Sequence, residues 1–354
     1  MGLKILHSAD WHLGSPFAGL DDSQRALLKQ EQQSIPGKTA QLCRREKCDL
    51  LLLAGDIFDG EPARETVDVL KKALSECGAR VFITPGNHDF CAPGSVWLEE
   101  NWPENVYVFT GGLEAVTIPD LNCRVYGAGY QSMDSAPLLE NFRAEGSEKY
   151  CIAVLHGDPT RKDSPYCPIT AQQVRDSGLQ YLALGHIHKA GAFHAGGTLC
   201  AWPGCPMGRG WDETGEKGVC IVTVEDSASL RAVALDTIRF HELKADISSG
   251  AEAALEKILP PAGSRDFFRV TLTGSGEADI SRLTQRFSAV PNLTLRDETL
   301  PPLDIWGDTG ADTLEGVYFR LLREAMEADP DSREEIQLAA EISRKLLEGR
   351  EVTL

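Results

Sequence analysis

The chain has 354 residues, 42% of them hydrophobic, which is enough to bury a large core and to build two or three domains. Its formal charge of −18 is shared equally by the residues before and after position 240, so neither part is a basic nucleic-acid-binding domain and tight DNA binding by this chain alone is not expected. No apolar stretch is long enough for a bilayer, the amino terminus runs into a strand without a leader pattern, and the ten cysteines include no C-x-x-C pair; the expectation is a cytoplasmic protein with reduced thiols and no membrane partner.

Five short apolar runs rich in Leu, Ile and Val, residues 3–6, 49–54, 80–84, 150–155 and 181–184, are predicted as buried strands. Each leads into a polar motif: Asp10-Trp11-His12, Gly55-Asp56-Ile57-Phe58-Asp59, Gly86-Asn87-His88-Asp89, His156-Gly157-Asp158 and Gly185-His186-Ile187-His188. Ligands collect at the carboxyl ends of strands in layered α/β proteins, so the five motifs can converge on one crevice. Between the first two runs, residues 24–46 look helical but carry Ile35-Pro36-Gly37 in their middle. Further strands are predicted over 106–109, 123–126, 198–202, 219–224 and 230–240, separated by glycine-rich turns. Many strands with few long helices after residue 80 fit two sheets packed face to face with helices outside.

Beyond residue 240 the pattern alternates: strand 241–247, helix 250–258, strand 266–273, helix 279–287 and strand 292–297, a small α+β module over 241–300. Residues 301–354 follow a Leu300-Pro301-Pro302 segment and are predicted as two helices. The first places Leu314, Val317, Tyr318, Leu321, Leu322 and Ala325 on one stripe, the second Leu338, Ala339, Ile342 and Leu346. Ser332 and Glu335 have capping-box spacing after the Asp329-Pro330 break. Such a pair docks either on its own protein or on a partner.

The motifs hold carboxylates, imidazoles and one amide oxygen but no thiol, a donor set that suits borderline-hard divalent ions such as Mn, Fe or Zn. The candidate ligands outnumber what one tetrahedral ion needs. Two ions about 3.5 to 4 Å apart, sharing a bridging carboxylate, would use them all. A hydroxide between two cations forms near neutral pH and can attack phosphorus in line, while an imidazole paired with a carboxylate, His88 with Asp59, serves the leaving oxygen. Three histidines lie outside the motifs: His7 is expected beside the site or in the core, His194 and His241 on a strand or the surface.

The order D-x-H, G-D-x-x-D, G-N-H-D/E, a lone His and G-H-x-H resembles the calcineurin-like metallophosphoesterases, with no element missing. The resemblance implies an α/β (α+β) four-layer αββα sandwich over residues 1–240, with residues 241–300 as its cap domain. It implies a first metal on Asp10, His12, Asp56 and His188, and a second on Asp56, Asn87, His156 and His186, with Asp56 as bridge. His88 would contact the scissile phosphate, with Asp59 as its acidic partner. The ions would be divalent, Mn²⁺ foremost, with Fe or Zn open.

The opening Leu6-His7-Ser8-Ala9-Asp10-Trp11-His12-Leu13-Gly14 is similar to the SbcD-type and YhaO-type DNA repair exonuclease subunits. So are Trp202-Pro203-Gly204-Cys205-Pro206 and Asp212-Glu213-Thr214-Gly215-Glu216-Lys217-Gly218, although Cys205 stands for that branch's serine and Trp211 for its phenylalanine. This implies a DNA exo- or endonuclease subunit whose cap shapes the DNA path and whose final segment attaches to an SMC-like coiled-coil ATPase of SbcC or YhaN type. Homodimers of the family form through helices of the phosphoesterase domain, and Pro36 sits where such a helix is expected. Local positive charge would come from the metals and from Arg161, Lys162, Lys189 and Arg209. The acidity leaves two alternatives, a phosphodiesterase or phosphatase for a small phosphoester, and a mainly structural subunit that regulates the ATPase.

Overall fold

The computed structural model describes residues 2–350 and 352. By its contacts the chain divides into two units: one runs as far as Glu242 and takes in Arg265–Phe268, the other comprises Leu243–Ser264 and the chain from Arg269 onward.

The first unit contains strands β1 Leu3–Ser8, β2 Leu50–Ala54, β3 Arg80–Thr84, β4 Val106–Val108, β5 Glu114–Ile118, β6 Cys123–Gly127, β7 Tyr150–His156, β8 Tyr181–Gly185, β9 Gly191–Ala195, β10 Thr198–Trp202, β11 Gly218–Val224 and β12 Ala228–Ala234. Its helices are α1 Asp22–Glu46, α2 Arg64–Ser75, α3 Val96–Glu99 and α4 Ala171–Asp176. The strands form two sheets of six, ordered β12-β11-β1-β2-β3-β4 and β5-β6-β7-β8-β10-β9. β1 to β4 run parallel, as do β6, β7, β8 and β10, while the outer strands β12, β11, β5 and β9 join antiparallel.

Parallel strands covered on both faces read as continuous apolar runs, because each residue buries its side chain on one side or the other. Alternate residues of β2 go to different cores. Leu50 and Leu52 meet Ile152, Val154 and Ala183 between the sheets. Leu51 and Leu53 pack under α1 and α2 through Leu28, Ile35, Val67 and Leu70. On the far side, Ala153, Leu155, Leu182 and Leu184 lie under Val174 of α4 and Ile169. The unit is thus an αββα sandwich, the fold class that the strand pattern implied.

Two local expectations are corrected, and two edge strands are added to the set. Pro36 does not break α1, which runs through it unbroken, with Ile35, Pro36, Thr39 and Ala40 all buried. The lost hydrogen bond costs about 3 kcal/mol at most helix positions, and burial of this face against the sheet offsets it. The run 230–240 is not one strand: β12 stops at Ala234, where the Asp236 carboxylate accepts from the Lys217 N–H (3.0 Å) and Arg239 Nε (3.1 Å), so local side-chain bonds replace the ladder. The edge strands β5 and β9 were not anticipated from the sequence.

The second unit holds most of a three-stranded sheet, β13 Phe240–Asp246, β14 Phe267–Thr273 and β15 Leu293–Asp297, with α5 Ala251–Ile258 and α6 Ile280–Arg286. Ala245, Ile247, Leu255, Val270, Leu272, Leu283 and Phe287 form its core. It also holds α7 Leu314–Ala328 and α8 Arg333–Leu347. The stripe that periodicity selects on these helices points largely outward, with Leu314 90% exposed, Leu321 57% and Leu346 65%. Their buried residues are instead Gly316 and Phe319 on α7 and Ala340 and Arg344 on α8, the Arg344 guanidinium lying 4.1 Å over the Phe319 ring. Ser332 makes no capping bond, because its hydroxyl donates to Asp329 (2.8 Å). Among the described residues no helix is long and apolar enough to cross a membrane, and all ten cysteines are free.

One buried polar link ties the two sheets of the first unit together. His7 on β1 donates from Nε2 to the Leu184 carbonyl (3.0 Å) and accepts the Tyr181 hydroxyl at Nδ1 (2.7 Å), both on β8. Burial pulls His7 down to about 3, whereas the unfolded chain takes up this proton near 6.5. Its contribution to stability is therefore complete above that pH and is lost as pH falls toward 3. His7→Gln, which keeps a donor and an acceptor, is expected to flatten the decline of the urea midpoint between pH 6.5 and about 4 by nearly one proton of linkage. Identical slopes in variant and parent would contradict this reading.

Candidate metal centre

The five motifs follow β1, β2, β3, β7 and β8, and three glycines let them close on one another. A Cβ on Gly185 would overlap the Ala54 carbonyl oxygen, one on Gly55 the His156 ring, and one on Gly86 the Asp56 carboxylate. Asp10, His12, Asp56 and His186 hold positive φ (54°, 46°, 50° and 95°), a region L-residues enter rarely and which clusters at functional sites. Cross-loop bonds keep them there: Asp10 N–H to Gly55 O (3.0 Å), His12 N–H to Asp56 O (2.9 Å) and His186 N–H to the Asp10 carboxylate (2.9 Å).

The donor atoms converge around Asp56, which is 2% exposed. His156 donates from Nδ1 to the Ala54 carbonyl (2.9 Å), which leaves Nε2 facing Asn87 Oδ1 (3.0 Å) and Asp56 Oδ2 (3.4 Å). His186 Nδ1 lies 3.3 Å from the same Asn87 oxygen. On the other side, His188 donates from Nδ1 to Glu213 (2.6 Å), so its Nε2 faces His12 Nε2 at 3.2 Å, with Asp56 Oδ2 3.6 Å from the latter. All seven expected ligands are thus in one place. Sets of three whose ligand atoms lie within 4.8 Å of one another include Asp10, His12 and His188, and Asp10, Asp56 and His156. A third set, His12, Asp56 and His88, brings in a residue the sequence did not assign as a ligand.

A site built of acceptors facing acceptors fits a divalent cation. Two imidazole nitrogens at 3.2 Å cannot both present lone pairs without something positive between them. The titration behaviour agrees. Burial works against the charge on Asp56, yet His156 and His12 hold its carboxyl well below the usual range. Burial also works against a charge on His156, and Asp56 and Asp10 outweigh it, lifting that imidazole to about 9. Burial and the neighbouring His156 draw His186 down to about 4. A proton on His156 Nε2 therefore occupies the place between Asp56 and Asn87 that a metal ion would take.

His88 stands apart from the buried donors. Its Nδ1 lies 3.1 Å from Asp59 Oδ1, its side chain is 44% exposed, and the Asp59 contact raises its pKa. Asp59 is fixed in turn by the Ser15 hydroxyl (3.0 Å). Of the basic residues expected nearby, Arg209 donates to Glu213 (2.8 Å), the same carboxylate that accepts from His188, whereas Arg161 pairs with Asp163. Glu213 neutralises Arg209, so the site gains orientation from this pair and little net charge.

Sequence reasoning missed three supporting residues. Glu213 lies in the Asp212-to-Gly218 stretch whose similarity to the repair-nuclease branch carries a signal, but its bond to His188 is not visible in sequence. Gln32 on α1 donates to the His12 carbonyl (2.7 Å) and accepts from the Gly14 N–H (3.0 Å), a role nothing in one sequence reveals. Asp89 accepts the N–H groups of Gly86 (2.7 Å), Ile57 (2.9 Å) and Phe58 (3.1 Å), locking the second and third motifs together, while burial pushes its pKa up to about 7.

Residues 3–190, just over half of the chain, match the calcineurin-like phosphoesterase family. The chain belongs to that family. It is 34% identical over 239 residues to the uncharacterized metallophosphoesterase YhaO of Bacillus subtilis, an alignment covering 63% of this chain and 57% of that protein. This calcineurin-like phosphoesterase thus spans little more than half the length of YhaO. It is 22% identical over 309 residues to the SbcD component of nuclease SbcCD from Staphylococcus epidermidis, covering 77% of this chain and 79% of that one. A dimetal phosphatase from Danio rerio aligns with a TM-score of 0.44 at 14% identity, over 66% of this chain and 96% of that one. As a member of that family the chain carries a candidate divalent-metal site where the five motifs meet.

Outer partners of metal-binding histidines typically change metal affinity 10- to 100-fold when removed. Glu213→Gln keeps the shape but removes the charge that makes His188 basic, and is expected to weaken Mn(II) binding about tenfold by calorimetry. Unchanged affinity would mean that Glu213 does not act on the centre through His188.

Proposed function

We propose that the chain is a dinuclear-metal phosphodiesterase acting on DNA, the nuclease component of a cytoplasmic complex with an SMC-like ATPase of SbcC or YhaN type. The observation that carries the reading is the convergence of two donor sets on one shared carboxylate, Asp56. Asp10, His12, Asp56 and His188 would hold the first ion, and Asp56, Asn87, His156 and His186 the second. Bound there, two divalent ions, Mn(II) in our reading although Fe or Zn suits the same donors, would polarise the phosphoryl oxygens and make water nucleophilic at neutral pH. The chain's residues do the rest. His156 and His188 have their Nδ1 protons spent on Ala54 and Glu213, which fixes their tautomers and leaves Nε2 free to bind. His88, tethered by Asp59 and partly exposed, would place a protonated Nε2 on the phosphate and its leaving oxygen.

Support for the DNA substrate and the partner is the similarity to the SbcD component of nuclease SbcCD over 77% of this chain, together with the exposed apolar side chains of α7 and α8, which suit docking to an ATPase. The net charge of −18 favours a second reading, a phosphodiesterase for a small phosphoester, and in the first reading it assigns most phosphate-backbone contacts to the ATPase.

Hydrolysis of linear duplex DNA, single-stranded DNA and bis-p-nitrophenyl phosphate with Mn(II), with Asp56→Asn as blank, separates these. DNA cleavage that vanishes in the blank is the expected result. Cleavage of the small diester alone, unchanged when the ATPase is added, would move the assignment to the second reading. His88→Ala is expected to lower turnover by about 10² to 10⁴ while two Mn(II) ions remain bound. Loss of a metal in that variant would make His88 a ligand.

A further inference from the structure

Three of the four histidines assigned as ligands have an outer polar partner for the ring nitrogen that faces away from the centre. His156 Nδ1 donates to the Ala54 carbonyl (2.9 Å), His188 Nδ1 donates to Glu213 (2.6 Å), and His12 Nδ1 lies 3.6 Å from Asp59 Oδ1. His186 is the exception. Its Nδ1 faces the centre, 3.3 Å from Asn87 Oδ1, and its Nε2 has no hydrogen-bond partner among the described residues. The carboxylate of Asp158, two residues after His156, is engaged instead by the Thr160 and Arg161 N–H groups (2.8 and 3.2 Å). The outer hydrogen bond that ordinarily sets the turn of a ligating imidazole is thus missing at His186, whose backbone is moreover held at φ 95°.

Aromatic contact takes its place. The Tyr166 ring lies 4.7 Å from the His186 ring, tilted by 42°, and the His156 ring lies 5.2 Å away, nearly perpendicular at 79°. Both separations fall in the range where aromatic rings attract and orient one another. Tyr166 belongs to no helix or sheet strand, yet its position is fixed. Its carbonyl accepts the Asp158 N–H (3.0 Å), its N–H donates to the Ser164 hydroxyl (3.3 Å), and it pairs with Ser135 in an isolated bridge. The next residue, Cys167, donates its N–H to the Ser135 carbonyl (2.8 Å) and holds a positive φ of 44°. The Tyr166 side chain packs against the core that contains Ile169 and Leu184.

We propose that Tyr166 is the positioning residue of His186: its ring stands in for the missing outer hydrogen bond and keeps His186 Nδ1 turned toward Asn87. The inference rests on the two-ion reading above. It assigns the two donor sets separate outer supports, Glu213 acting on the first through His188 and Tyr166 on the second through His186. Each ion can then be weakened without the other. The ring is what matters, so the phenol hydroxyl is dispensable.

The test compares the parent with Tyr166→Phe, which keeps a ring, and Tyr166→Leu, which keeps apolar bulk without one. Calorimetry with Mn(II) reads the two affinities. NMR of the metal-free proteins, labelled on histidine and aromatic side chains, reads the His186 ring itself. The expected result is that one of the two Mn(II) affinities falls about tenfold in Tyr166→Leu while the other is unchanged, and that Tyr166→Phe keeps both. Ring-proton contacts between residues 166 and 186 are expected in the parent and in Tyr166→Phe, and a shifted, averaged His186 signal in Tyr166→Leu. Both affinities unchanged in Tyr166→Leu, both weakened together, or Tyr166→Phe as weak as Tyr166→Leu would overturn the proposal. So would the absence of ring-proton contacts in the parent, a result that needs no variant to fold. If the parent binds a single ion while His186 is freed in Tyr166→Leu and held in Tyr166→Phe, the positioning role stands and the two-ion reading fails.

Discussion

Gly185 at the end of β8 lies directly against the Ala54 carbonyl at the end of β2, and the rest of the site depends on that contact between the two sheets. Any side chain there would hold the sheets apart and separate the two halves of the donor set. Asp10, His12, Asp56 and Asn87 come from one sheet, and His156, His186 and His188 from the other. Close approach of strand ends turns His12 and His188, 176 positions apart in sequence, into neighbours at 3.2 Å. It also forces the chain to leave the strands abruptly, which explains why four of the donors hold positive φ, at a cost on the order of 1 to 3 kcal/mol each.

Such a centre is unfavourable by itself. Carboxylates and imidazoles with few compensating donors are buried together, and the protein resolves the conflict by sharing protons, with His156 raised to about 9 while His186 falls to about 4. The surrounding structure is built to hold this arrangement. His7 bonds sheet to sheet, Gln32 ties α1 to the first motif, Asp89 joins the second and third, and Glu213 with Arg209 fixes His188. Several kcal/mol of local strain and desolvation persist only because the large apolar cores on either face of each sheet outweigh them.

Much of this was legible in the sequence, for a physical reason. Strands buried on both faces have no polar alternation, so runs such as Arg80 to Thr84 and Thr198 to Trp202 carry sharp ends, and those ends coincide with β3 and β10. The motifs lie at strand ends, so their convergence followed from layer architecture once the order was known. What stayed hidden depends on partners far away in sequence. Pro36 reads as a break because its burial against the sheet cannot be seen locally, and β12 reads as too long because Asp236 bonds backbone only after the chain has turned. On α7 and α8, periodicity found the apolar stripe but could not show that Phe319 and Arg344 are the buried residues while Leu314 and Leu346 face outward.

Everything proposed for the reaction turns on Asp56 as the shared ligand of two ions, and anomalous diffraction from crystals soaked in Mn(II) tests that directly. Two peaks about 3.5 to 4 Å apart, with an Asp56 oxygen reaching both, are the expected result. A single peak, or two peaks of which Asp56 touches only one, would contradict it.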